Sequence, residues 1–88
     1  MKVSRDAREY VGELGRAIRR VREKAGFSQE KLAELADLHH TYIGAVERGE
    51  RNLTIVSLHR LSAGLGLKPS ALLLRAEAEI YPRGGAKR

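Results

Sequence analysis

Apolar residues recur at three- and four-residue steps along most of the chain, which is the spacing of one face of an α-helix. The first such run extends from Ala7 to Ala25, with basic and acidic residues mostly on its other faces. Its apolar face consists of Ala7, Val11, Leu14, Ile18, Val21 and Ala25. Gly12 and Gly15 each weaken a helix by roughly 1 kcal/mol relative to alanine. The pattern therefore predicts a long amphipathic first helix, and leaves open whether the part before Leu14 is a separate turn.

Two shorter apolar runs follow, and they cannot belong to one straight helix. The first places Leu32, Leu35 and Ala36 on one face, and the second places Leu38, Tyr42, Ile43 and Val46 on another. The chain must change direction between them near Asp37, a residue type that tolerates positive φ better than most. Ser28 is suited to cap the first run, and Gly49 to end the second as a left-handed cap. The sequence predicts two short helices meeting at a sharp corner within residues 28–48.

The remaining sequence predicts two more helices and a tail. Thr54 is a good cap for a fourth helix that ends at a glycine, residue 64 or 66. Its expected inward residues are Ile55, Leu58, Leu61 and Leu65. Pro69 suits the first turn of a fifth helix. Residues 82–88, PRGGAKR, contain three basic residues and nothing to pack, so we expect a disordered basic tail.

The predicted corner carries a family resemblance. Residues 26–33, GFSQEKLA, and residues 43–47 followed by Gly49 resemble the helix-turn-helix of the Cro and phage-repressor type, the xenobiotic response element (XRE) family. Similarity extends from about Leu14 to Leu74. Residues 39–67, HHTYIGAVERGERNLTIVSLHRLSAGLGL, are most similar to controller proteins of restriction-modification systems, which are small dimeric regulators. The resemblance implies an all-α fold, a compact five-helix bundle of the lambda-repressor-like DNA-binding type.

Charge and length agree with this expectation. The formal net charge of +6 in 88 residues favours a polyanionic partner such as double-stranded DNA. A chain of this size forms one domain, expected over residues 1–81, and buries only roughly 60–65% of its unfolded surface, so a second subunit would add core. The chain has no cysteine for a disulfide or thiolate site, and its longest apolar run is too short to span a membrane. We expect a cytoplasmic protein, nucleoid-associated when bound to DNA.

The third helix is the expected reading element. In the helix-turn-helix geometry its N-terminal residues enter the major groove, where base edges differ in donors, acceptors and methyl groups. If Ile43 and Val46 face the core, helical spacing turns the polar start of the helix outward. The predicted base contacts are His39, His40, Thr41 and Ala45, with His40 and Thr41 foremost. The alternative is an exposed helix start that is only solvated.

Contacts to the DNA backbone should frame the reading residues. Gln29 matches a family position whose amide anchors the backbone, at a helix N-terminus that adds unpaired N–H groups. The full predicted set is Ser28, Gln29, Tyr42, Arg48, Arg51 and Asn52. Arg16, Arg19 and Arg20 of the first helix are better explained as a solvated face.

One charged pair is expected to be structural. Arg22 and Glu47 occupy positions that, in the family resembled, form a salt bridge between the first helix and the reading helix. The alternative is that both are exposed charges. The resemblance implies that this pair braces the reading helix and does not contact DNA.

Catalysis, cofactors and metal ions are not expected. His39 and His40 are adjacent and point about 100° apart on a helix, so they cannot chelate one metal ion. Gly64 and Gly66 follow a helix and lack a third glycine, so helix termination explains them better than a dinucleotide loop does. We predict that the chain is not an enzyme.

The expected function is sequence-specific transcriptional regulation by a symmetric dimer on an inverted-repeat operator, as in a controller protein. RNA polymerase is a further candidate partner. The predicted dimer interface consists of Leu67, Leu72, Leu74 and Ile80. The alternative is an antitoxin, or another protein-interaction module of a toxin–antitoxin pair, that also binds DNA. The chain has little outside the motif-bearing core with which to wrap a toxin, which favours the regulator.

Overall fold

The computed structural model describes residues 5–81, which form five α-helices and no strand. The helices are α1 (Arg5–Lys24), α2 (Gln29–Ala36), α3 (His40–Glu47), α4 (Ile55–Gly64) and α5 (Pro69–Ile80). The all-α, five-helix prediction is therefore confirmed. The predicted disordered tail, residues 82–88, lies outside the described residues. No helix within residues 5–81 has the length and apolar character required to cross a bilayer.

One residue from each helix forms the centre of a shared core. Ile18, Leu32, Ile43, Leu61 and Leu72 are all fully buried, with exposed fractions of 0%. Helix α1 packs against α3 and α5, and α2 packs against α3 and α4. The core thus fixes the two short helices, α2 and α3, between the longer ones.

The burial of Leu72 corrects the predicted dimer interface. This side chain lies in the centre of the monomer core, so it is not available to a partner subunit. The reason is its place in α5, where the face carrying Leu72 and Ala76 packs inward. Leu67 packs partly against the same core, whereas Leu74 is 64% exposed.

Helix α1 is continuous through both of its glycines. It begins at Arg5, and its first turns are not a separate element. The backbone of Gly15 lies close to the end of α3: a Cβ at this position would overlap the carbonyl oxygen of Val46 and lie 3.0 Å from that of Glu47. Glycine at residue 15 therefore allows α1 and α3 to pack at close range.

The corner between α2 and α3 has the predicted geometry. The Ser28 hydroxyl accepts a hydrogen bond from the backbone N–H of Lys31 at 2.9 Å and caps α2. Asp37 ends α2 in the left-handed region, with φ 57° and ψ 49°. Its backbone N–H donates to the carbonyl of Glu34, and the chain then turns into α3. Among the non-glycine residues from 5 to 81, Asp37 alone has positive φ.

Asp37→Val is expected to lower the free energy of unfolding by roughly 1–2 kcal/mol, because a β-branched side chain is strongly disfavoured in the left-handed region. Asp37→Gly is the matched control and should unfold no more easily than the wild type, since glycine adopts this conformation without a Cβ clash. Urea unfolding of the two variants measures the difference. Equal stability of the valine and glycine variants would contradict this account of the corner.

Helix α4 begins as predicted, but its first residue faces solvent. The Thr54 hydroxyl accepts from the backbone N–H of Ser57 at 3.0 Å. Ile55, expected to point inward, is 80% exposed, and Val56 is 61% exposed. Ile55 lies one turn before buried Leu58 and lines an open apolar groove between α1, α4 and α5, and no element of residues 5–81 covers it. The prediction for Ile55 was wrong because the core ends at Leu58.

Candidate nucleic-acid interface

The start of α3 presents a polar surface on a helix anchored from behind. Ile43 and Val46 are buried in the core, with exposed fractions of 0% and 2%. Three of the predicted base-contacting residues, His39, His40 and Thr41, are exposed; the fourth, Ala45, is half-buried. The structure therefore brings the three polar reading candidates together in one turn and leaves Ala45 less accessible.

His39 has a structural role that the sequence did not predict. It is the N-cap of α3, and its Nδ1 accepts from the backbone N–H of Thr41 at 3.2 Å. The same nitrogen lies 2.7 Å from the Thr41 hydroxyl. The His39 ring also stacks on that of His40, with 4.7 Å between centroids. The start of α3 is thus held by contacts among its own side chains.

A buried ion pair joins α3 to α1, as expected for Arg22 and Glu47. Arg22 Nε and Nη2 donate to the two carboxylate oxygens of Glu47, at 2.6 and 2.9 Å. The side chains are only 10% and 3% exposed, and Arg22 Nη1 also donates to the carbonyl of Phe27 at 2.8 Å. The hydrogen bonds that Arg22 donates to Glu47 raise the pKa of Arg22 above its ordinary value. This arrangement excludes the alternative of two exposed charges.

Gln29 joins the same network. Its Nε2 donates to Glu47 Oε1 at 3.1 Å, so one carboxylate accepts from both the scaffold helix α1 and the first turn of α2. Gln29 is half-buried. The predicted anchor for the DNA backbone is therefore held in a defined orientation by Glu47.

Gly44 makes room for two side chains of the candidate interface, and the sequence did not single it out. A Cβ at this position would lie 3.2 Å from Arg48 Nη1 and 3.4 Å from Gln29 Oε1. Both side chains therefore lie directly over the α3 backbone. The available signal was a glycine within an eight-residue helix, where it weakens the helix unless something must approach closely.

Arg48 and Arg51, predicted to contact the DNA backbone, also have partners within the protein. Arg48 Nε donates to Glu50 at 3.0 Å, and this bond lowers the pKa of Glu50. The guanidinium of Arg51 lies over the ring of half-buried Tyr42, 5.3 Å from its centroid. Glu50 was not foreseen as a partner, although an acid two residues from an arginine is a visible signal.

Two other residues predicted to contact the DNA backbone, Ser28 and Asn52, differ in whether their side chains already have a partner. Asn52 is exposed in the loop between α3 and α4, whereas the Ser28 hydroxyl already serves as the α2 cap. On α1, Arg16 pairs with Glu13 at 2.9 Å and Arg19 with Glu23 at 3.0 Å. These exposed pairs agree with a solvated helix face.

Among the residues that the structure describes, no three histidine, aspartate or glutamate side chains form a group able to hold a metal ion.

A capped short helix, a left-handed corner and a braced helix with an exposed polar start together define a helix-turn-helix protein. The sequence profile of the helix-turn-helix family matches residues 18–72 of the chain. The chain therefore belongs to this family.

Several relatives are control proteins. The chain is 45% identical over 61 residues to control protein C.BamHI from Bacillus amyloliquefaciens, covering 68% of this chain and 75% of that one. It is 43% identical over 70 residues to control protein C.SmaI from Serratia marcescens, covering 80% of each. Among solved structures, the restriction-modification controller protein C.Esp1396I, as a tetramer with its natural 35 base-pair operator, has a TM-score of 0.74. Its identity is 34%, covering 81% of this chain and 93% of that one.

Proposed function

We propose that this chain is a sequence-specific DNA-binding transcriptional regulator that acts as a symmetric dimer on an inverted-repeat operator, as a controller protein of a restriction-modification system. The observation that carries the proposal is the exposed start of α3 on a helix anchored by the buried Arg22–Glu47 pair. The net charge of +6 supplies attraction to the phosphates. The likeness to operator-bound C.Esp1396I supports the same mode of binding.

In this proposal the contacts divide by role. His40 and Thr41 read base edges in the major groove, assisted by His39 and Ala45. The backbone contacts come from Ser28, Gln29, Tyr42, Arg48, Arg51 and Asn52. Arg48 exchanges its exposed partner, Glu50, for a phosphate, because both are anions and the existing pair is solvated.

Dimer formation sets the size of the target. Two α3 helices about 34 Å apart would enter successive major grooves on one side of B-DNA. With Leu72 excluded, Leu67, Leu74 and Ile80 remain as the proposed interface. The exposed Ile55 and Val56 are apolar surface that can join it. Their burial would supply core that a chain of this size lacks.

The regulator would act through its own concentration and the position of its operator, either blocking RNA polymerase or contacting it. We place residues 1–81 in one domain without catalytic activity, in the cytoplasm and on the nucleoid when bound to DNA. Selection of bound sequences from a random DNA pool tests the proposal. An enriched inverted repeat, bound with an affinity that falls steeply as salt rises, is the expected result; no enrichment would favour the antitoxin alternative.

Substitutions should separate anchoring from reading. Gln29→Ala is expected to weaken binding to all sites by roughly 3- to 10-fold, the effect of one lost hydrogen bond. His40→Ala should instead reduce discrimination between the selected operator and its single-base variants. Fluorescence-anisotropy titrations with a panel of such duplexes measure both effects.

His59→Ala is the matched control for the reading residue. His59 is also an exposed histidine, but it lies on α4, outside the proposed DNA interface. This variant should retain both the affinity and the site preference of the wild type. Equal site preference in the His40 and His59 variants would remove His40 from the reading set.

A further inference from the structure

The cap of α3 restricts how the Thr41 hydroxyl can form hydrogen bonds. Two groups of Thr41 converge on one nitrogen: its backbone N–H, 3.2 Å from His39 Nδ1, and its Oγ1, 2.7 Å from the same atom. Both residues are exposed in the first turn of the reading helix. The stacked ring of His40, inclined by 25°, lies against the His39 ring and limits its rotation.

The direction of these bonds follows from the backbone. An amide N–H can only donate, so the His39 Nδ1 that receives it carries no proton. The proton of the neutral ring is then on Nε2. Because Nδ1 is an acceptor, the Thr41 hydroxyl at 2.7 Å must donate to it. The hydroxyl hydrogen is thereby used within the protein, and only the lone pairs of Oγ1 remain for a ligand.

We infer that Thr41 acts toward DNA only as a hydrogen-bond acceptor, and therefore selects a base whose exocyclic amine lies in the major groove, adenine or cytosine. This inference rests on the proposed function and names what one of its residues reads. In the major groove, adenine N6 and cytosine N4 are donors, whereas guanine O6 and thymine O4 are acceptors. A freely rotating threonine hydroxyl can pair with either class, because it accepts from an amine and donates to a carbonyl oxygen. His39 is thus a positioning residue that converts an ambiguous reader into a selective one.

The protonation of His39 can be tested without DNA. Imidazole ¹⁵N shifts and ¹H–¹⁵N couplings of the full chain at pH 8 should show His39 protonated on Nε2 and unprotonated on Nδ1. A ring protonated on Nδ1 would overturn the inference, because the Thr41 hydroxyl would then be the acceptor of that bond. This result would leave the proposed function intact.

Double-mutant cycles on the selected operator test whether the Thr41 hydroxyl accepts a hydrogen bond from the contacted base. Each adenine or cytosine of one half-site is replaced in turn by an analogue lacking the exocyclic amine, 2′-deoxynebularine or the 2-pyrimidinone nucleoside. Purines are separately replaced by 7-deaza analogues, which lack the N7 acceptor. At one position, deleting the amine should lower the affinity of the wild type roughly 3- to 10-fold more than it lowers the affinity of Thr41→Val. If the effect of Thr41→Val depended only on a 7-deaza substitution, the hydroxyl would be donating to N7, and the inference would be overturned.

Variants of the cap complete the test. His39→Ala should release the Thr41 hydroxyl and reduce, by a similar factor, the preference for the amine-bearing base over guanine and thymine at that position. His39→Asn should largely preserve the preference, since the asparagine oxygen is also an N-cap acceptor. Thermal unfolding of each variant establishes that it is folded. Loss of preference in both variants, or in neither, would contradict the role given to His39; a chain that enriches no sequence would overturn the proposed function itself.

Discussion

Glu47→Ala is expected to lower the free energy of unfolding by about 3 to 5 kcal/mol, because it leaves a buried charge without its partner. The Arg22 side chain is only 10% exposed. It would retain the carbonyl of Phe27 and a distant carboxylate oxygen of the half-exposed Glu23, 4.0 Å from its Nη2. A guanidinium does not deprotonate in response to burial, so the cost cannot be avoided by losing the charge. The variant must either bury a cation that has no carboxylate at hydrogen-bonding distance or open the α1–α3 contact.

The size of this effect is large relative to the expected stability of the protein. The free energy of unfolding of such domains is about 5–15 kcal/mol, so the substitution removes a large share of it and would leave a domain at the lower end of this range close to unfolding. Urea unfolding followed by circular dichroism measures the loss. DNA binding should also weaken beyond the folded fraction, because Gln29 loses the carboxylate that orients it.

Two control variants separate burial from charge. Glu34→Ala removes a carboxylate from the exposed pair with Lys31, whose side chains are 75% and 50% exposed, and should cost less than about 1 kcal/mol. Replacing both buried partners, as Arg22→Met with Glu47→Leu, should recover most of the stability, since no charge is then left unpaired. If the double variant were as unstable as Glu47→Ala, the ion pair would add net stability to the fold, beyond each charge neutralising the other.

Gly15→Ala is expected to destabilise the protein by roughly 3 kcal/mol, at the upper end of the usual cost of overpacking. The added methyl group would overlap the carbonyl oxygen of Val46 and crowd that of Glu47. These are backbone atoms of α3, which cannot move aside as a side chain can. Relief requires α1 and α3 to separate, which would also strain the Arg22–Glu47 pair.

Gly12→Ala, in the same helix, is the matched control for this substitution. A Cβ at Gly12 meets only the guanidinium of Arg16, at 3.4 Å or more, and this flexible group can move. The variant should therefore gain roughly the 1 kcal/mol by which alanine exceeds glycine in helix propensity. Chemical unfolding of both variants is the measurement. Stabilisation by both substitutions would show that the α1–α3 approach tolerates a methyl group.

The elements of the fold were predictable because local chemistry determines them. Ser28 and Thr54 cap helices, and Asp37 turns the corner, through hydrogen bonds and dihedral angles that depend on near neighbours. Depth in the core was less predictable. Leu72 and Ile55 lie on apolar helix faces, yet one is fully buried and the other 80% exposed. Periodicity identifies the inward face of a helix, but not where the neighbouring helices stop covering it.

The site was predictable by position and less so by bonding. The exposure of His40 and Thr41 follows from the burial of Ile43 on the opposite side of α3. The use of His39 as a cap could not be anticipated, because histidine is not a preferred N-cap and the bond depends on the ring orientation. The link from Gln29 to Glu47 joins residues 18 positions apart, and only the folded corner brings them together.

The near-contact of α1 with the end of α3 also bears on how an operator would be accommodated. With Gly15 lying against the Val46 carbonyl and Glu47 bound to Arg22, α3 cannot slide along its axis or tilt without breaking one of these contacts. Each subunit would therefore present its reading helix at a fixed angle. We expect half-sites of unfavourable spacing to be bound through bending and twisting of the DNA, so that the deformability of the bases between the half-sites contributes to affinity although no side chain reaches them.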